Sequence, residues 1–147
     1  AEPLAQKQDP RRVVDAQFSM PFGAAAAMCY GKAGLDQYTD EVISRPEIKA
    51  LMQRVSCRKN PELDREFPRK WAAEVSLLSK QGETFQARID YPKGDPENPL
   101  TWDELTDKFQ DLTRPVFDRE HRERIITRVR SLEPSDSILT LLQSLQL

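Results

Sequence analysis

At 147 residues the chain has the length of one modest domain, able to bury about two thirds of its unfolded surface. Its 22 basic and 24 acidic side chains leave a net charge of -2, so there is no global field to recruit nucleic acid or an anionic membrane, and neither is expected as a partner. Two cysteines, Cys29 and Cys57, read as small buried hydrophobes in a reducing compartment; no apolar run approaches the roughly 20 residues that span a bilayer, and the expected location is cytoplasmic.

Residues 1–12 are polar, carry Pro3, Pro10, Arg11 and Arg12, and read as a linker or the tail of something larger. Asp15-Ala16-Gln17-Phe18-Ser19-Met20-Pro21-Phe22 then runs into Gly23-Ala24-Ala25-Ala26-Ala27-Met28. Ser19 is placed to cap a helix and Pro21 falls in its first turn, where the missing N–H is harmless. With no charged side chain and little bulk as far as Tyr30, this helix is expected to be buried on all sides and to stop at Gly31 and Gly34. Its first turn would present free N–H groups and a partial positive charge, a place to hold a carboxylate or phosphate.

Tyr38 to Arg45 is polar with a short helical possibility. Ser44-Arg45-Pro46-Glu47 opens another helix, with Ser44 as N-cap and Ile48, Leu51 and Met52 on one apolar face. Val55 to Arg58 reads as a short strand, and Lys59 to Lys70 as a long loop rich in proline and charge. A hairpin follows. Trp71, Ala73, Val75 and Leu77 alternate with polar positions, as do Phe85, Ala87, Ile89 and Tyr91, and Ser79-Lys80-Gln81-Gly82 supplies the turn. One face should be wet, and the other needs a third strand, such as the one near Val55, or a covering helix.

Thr101-x-x-Glu104 is a capping box that opens a helix with Leu105, Phe109 and Leu112 in a stripe and Pro115 beyond its end. A helix over roughly Phe117 to Leu132 turns Ile125, Ile126, Val129 and Leu132 inward. Pro134 breaks it, and Ser135 or Asp136 caps a last helix whose Ile138, Leu141, Leu142 and Leu145 need a partner surface. The fold class is therefore α+β: a small antiparallel sheet with a hairpin and covering helices, followed by C-terminal helices.

Chemistry is sparse in this pattern. The single histidine, His121, sits in the most charged helix and reads as a solvated bystander. No Cys/His cluster has metal-ligand spacing, and there is no nucleophile elbow, P-loop or dinucleotide fingerprint, so no catalytic residue, metal or cofactor is assigned to the chain. The arginines between Arg119 and Arg130 alternate with acids and form a solvated face. What remains is the collar of the first long helix, where Gln17, Ser19 and Phe22 would line one wall of a polycarboxylate site; alternatively Ser19 only caps and Phe22 only fills the core.

Two blocks carry a resemblance. Ala16 to Phe22 resembles an Ala-(Lys or Gln)-Phe-Ser-(Leu or Met)-Pro-(Tyr or Phe) signature, and Gly94-Asp95-Pro96-Glu97-Asn98-Pro99-Leu100-Thr101-Trp102-Asp103-Glu104-Leu105, with Lys108 and Phe109, resembles a second conserved run of the MmgE/PrpD family. The hairpin around Gly82 is a weaker third similarity. The likeness is to that family's C-terminal third. Its members include 2-methylcitrate dehydratase, cis-aconitate decarboxylase and iminodisuccinate epimerase. The resemblance implies that residues 13–98 form a lid and residues 99–147 return to a large helical domain, absent from this chain, that bears the acids and bases of proton abstraction. It implies a lyase, a small polycarboxylate substrate, an oligomer, and a collar close to the active-site cleft, where Phe22 replaces a frequent tyrosine. A stand-alone interaction module using the leucine-rich last helix, or a non-catalytic carboxylate-binding domain, are the alternatives.

Overall fold

The computed structural model describes residues 4–133 and 137–145. It is α+β, helices together with a two-stranded antiparallel sheet, and it divides into two compact units, Ala1–Arg65 and Glu66–Leu147.

Unit 1 is helical. Short helices α1 (Leu4–Lys7) and α2 (Val13–Gln17) precede α3 (Met20–Tyr30), and a 3-10 turn (Leu35–Gln37) leads to α4 (Asp40–Ser44) and α5 (Pro46–Met52). Phe22, Ala25 and Ala26 recur at the spacing of one helical face, and with Ala16, Val42, Ile43, Ile48 and Met52 they form the core. Two alanines at the contact let α3 and α5 approach closely. Full burial of Ile48 and of Met52 contributes about 1.5–3 kcal/mol each. Ser19 caps α3 as expected, and Gly31, at φ 73°, ends it in the left-handed conformation that glycine adopts without a Cβ penalty. The turn after α5 is tied to the start of the chain by side-chain amides. The side-chain amide of Gln8 donates to Met52 O (3.3 Å) and Val55 O (3.1 Å), and that of Gln53 donates back to Gln8 O (3.1 Å).

Several expectations for this unit are corrected. Helix α3 is buried along one face only: Met20 is 64% and Met28 52% exposed, and Cys29, one turn beyond Ala25 and Ala26, lies past the packed layer. Cys57 is also exposed, on irregular chain. Ser44 does not cap α5, because its hydroxyl donates to Glu41 O (2.8 Å) inside α4; Arg45 is the junction residue of both helices. Val55–Arg58 is not a strand, since the Val55 N–H closes a turn onto Met52 O (3.2 Å). The stretch from Lys59 to Lys70 is not all loop. Asn60 Oδ1 accepts the Glu62 N–H (3.0 Å) and Pro61 starts α6 (Pro61–Glu66), a cap and first-turn proline pair that the charge density of the segment hides.

Unit 2 opens with an ion cluster and the hairpin β1 (Ala73–Leu78) and β2 (Thr84–Ile89). The register pairs Ala73 with Ile89, Val75 with Ala87 and Leu77 with Phe85, so these six apolar residues share one face, as the alternation predicts. The turn closes through Ser79 and Glu83, with Gly82 at φ 87°. The polar side is tied to the preceding segment: Lys70 bridges Glu66 (2.7 Å) and Asp90 (2.8 Å), and Arg88 bridges the same two acids (3.2 and 2.7 Å). These contacts hold the Glu66 and Asp90 carboxyls below their ordinary range, with the Lys70 hydrogen bond the largest cause for both. A hairpin with only one wet face is not what forms. Val75, Phe85 and Ile89 are each more than half exposed, because no third strand joins them among the described residues.

Three helices follow, α7 (Trp102–Thr113), α8 (Arg119–Arg130) and α9 (Ile138–Ser144). Ile125 is the buried hydrophobic residue of this unit among those described. Polar and aromatic contacts join the helices. Arg130 lies over the Trp102 ring (5.6 Å) and reaches Asp103 (3.4 Å), and Gln110 donates to Glu123 (3.2 Å). His121 is not a solvated bystander: half-buried, its ring packs on Phe117 (4.4 Å) and its Nε2 lies 2.6 Å from Ser144 O, linking α8 to the end of α9. The expected break at Pro134 and caps at Ser135 or Asp136 lie outside the described residues. Among those described, no helix is long and apolar enough to cross a membrane.

Met52→Ala should therefore destabilise unit 1 by about 2–5 kcal/mol in urea unfolding followed by circular dichroism. Val75→Ala on the exposed hairpin face should shift the same curve by no more than about 0.5 kcal/mol. Equal costs at the two positions would contradict this distribution of burial.

Candidate functional site

The collar of α3 begins where α2 ends. Phe18 closes α2, and Ser19 takes an extended conformation before the next helix starts. Its hydroxyl accepts the Phe22 N–H (3.0 Å) and donates to Lys7 O, which anchors the end of α1 at this turn. The Ser19 N–H goes to Ala16 O (3.0 Å) and the Gly23 N–H to Ser19 O (3.0 Å). Pro21 has no N–H to offer. The free N–H groups expected at this end are thus largely consumed inside the fold, and the Met20 N–H is the one amide of the turn these bonds leave over.

The three predicted site residues separate by depth. Gln17 is exposed, Ser19 is 4% exposed, and Phe22 is fully buried against Tyr38 (centroids 5.1 Å apart, 58° between planes). Tyr38 also approaches the helix backbone, its hydroxyl 3.6 Å from the place a Gly23 Cβ would take. The collar is accordingly a floor of Ser19, Phe22 and Tyr38 beneath an exposed rim of Gln17, Phe18 and Met20. Lys7 adds a cation to that rim, 5.9 Å over the Phe18 ring. Neither Lys7 nor Tyr38 is singled out by the sequence, since one sits in a polar lead-in and the other in an unpatterned stretch. The nearby acid is already matched: Asp15 accepts from Arg12 (3.1 and 3.3 Å), which keeps its carboxyl below the ordinary range.

The second block is a joint. Gly94, at φ 105°, donates to Asn98 O (2.8 Å), the Asn98 N–H returns to Asp95 O (2.9 Å), and the Asn98 side chain donates to Tyr91 O (2.9 Å). This knot turns the chain from the hairpin into the capping box of α7. Thr101 Oγ1 accepts the Glu104 N–H (3.2 Å) and Glu104 accepts the Thr101 N–H (2.8 Å). That backbone bond, with Lys93 at 2.9 Å, pulls the Glu104 carboxyl down to about 2.

A groove of about 590 Å³ runs beside α8 and α9, lined by Glu120, Arg124, Arg128 and Thr140, but these side chains are exposed and Glu120 already pairs with Arg124 (2.8 Å). No group of three or more His, Cys, Asp or Glu side chains among the described residues is placed to hold a metal.

Comparison with known proteins fits both blocks. The profile of the MmgE/PrpD C-terminal domain matches residues 2–133. The chain is 30% identical to a cis-aconitate decarboxylase-like protein, oryM, of Aspergillus oryzae, over 94% of this chain and 28% of that protein. It is 28% identical to the cis-aconitate decarboxylase of Mus musculus, over 86% of this chain and 26% of the relative, and 27% identical to that of Homo sapiens, over 87% and 27%. It therefore spans about a quarter of the length of these curated relatives. The chain belongs to the MmgE/PrpD family and corresponds to its C-terminal domain.

Ser19→Ala removes a buried cap and the anchor for Lys7 O, and should cost about 1–2 kcal/mol in unfolding experiments. Glu104 has its pKa lowered from 4.5 to about 2 by folding, so its contribution is complete above pH 4.5, declines below that and is gone below about pH 2. The thermal midpoint of the native chain should exceed that of Glu104→Gln at pH 6, and the gap should close as the pH falls through this window. A gap independent of pH would remove the ionised capping box as its cause.

Proposed function

We propose that this chain is the C-terminal lid portion, or the small subunit, of a lyase that acts on a small polycarboxylate such as 2-methylcitrate. Residues 13–98 serve as the lid, and residues 99–147 return to a large helical partner. The observation that carries the reading is the family match over residues 2–133 of a chain that covers only about a quarter of its relatives. Exposed apolar surface in unit 2 supports it: Val75, Phe85 and Ile89 on the hairpin, and Ile138, Leu139 and Leu142 on α9, are each more than half exposed. The hairpin residues share one face of the sheet, and an exposed apolar face of this kind is ordinarily covered by other protein.

The chemistry is removal of a proton beside a carboxylate followed by loss of water, with no metal required, in an oligomeric cytoplasmic enzyme. Catalytic acids and bases reside on the partner. This chain contributes the collar wall, with Gln17 as an exposed hydrogen-bonding group, Lys7 as a nearby cation, and Ser19 and Phe22 holding the wall in place. Two exposed thiols, Cys29 and Cys57, suit a reducing compartment. A second reading is favoured by the names of the relatives: decarboxylation of cis-aconitate, which begins on a similarly charged substrate and loses carbon dioxide in place of water.

Native mass spectrometry of the chain from its source tests the assembly: co-purification with a larger polypeptide, or inclusion in one, is expected, and a lone 16.9 kDa species that forms no complex with a larger polypeptide would sink the proposal. Assay of the assembled enzyme with 2-methylcitrate and with cis-aconitate separates water loss from carbon dioxide release, and dialysis against EDTA should leave the rate unchanged. Gln17→Leu should raise KM about tenfold, or about 1.4 kcal/mol of binding, with little change in kcat or thermal midpoint. An unchanged KM would take Gln17 out of the site.

A further inference from the structure

We draw no further inference here: the strongest candidate, the exposed apolar face that Val75, Phe85 and Ile89 form on the β1–β2 hairpin, carries nothing beyond the assembly already proposed, because nothing in the structure shows which element covers it.

Discussion

The close contact between α3 and α5 is the constraint on which unit 1 depends. Ala25 and Ala26 share one buried cluster with Ile48 and Met52, which lose all exposure, and Phe22 packs against Tyr38. Larger side chains at the alanine positions would overpack this contact and drive the helices apart. The collar follows from the same geometry. With α3 fixed by its buried face, Ser19 is held at the entrance, where one hydroxyl caps α3 and receives α1.

Unit 2 is held together differently. Apart from Ile125, its larger described hydrophobic side chains remain half-buried or exposed, and its order rests on backbone ladders, caps and charge pairs. The Glu66, Lys70, Asp90 and Arg88 cluster fixes the polar side of the hairpin, Arg130 joins α8 to the start of α7, and His121 joins α8 to α9. Partly exposed ion pairs of this sort contribute little individually, so such a unit gains most from burying its apolar side against other protein.

The two family blocks take different parts in this arrangement. The block at Gly94 to Phe109 places its glycine, asparagine, threonine and glutamate in a turn and a helix cap, so its residue types are accounted for by backbone geometry. The block at Ala16 to Phe22 is also mostly structural in its buried residues. It differs in leaving Gln17 exposed, next in sequence to Phe18, whose ring lies under the Lys7 ammonium.

What the sequence by itself determined were the features encoded within a few residues. The Ser19 cap, the Gly31 stop, the alternation from Ala73 to Leu78 and from Thr84 to Ile89, the Gly82 turn and the Thr101–Glu104 box all depend on local sterics or hydrogen bonds, and the structure has each of them. The start of α6 at Asn60-Pro61 is equally local, but its charged surroundings masked it. Burial was decided only by the tertiary structure, because exposure depends on what lies opposite a face and not on the face itself. Cys29 continues an apolar stripe yet has no neighbour to cover it, the hairpin pairs its six apolar residues as expected and leaves all but the half-buried Leu77 exposed, and His121, polar in a charged helix, is drawn in because Ser144 O lies within reach.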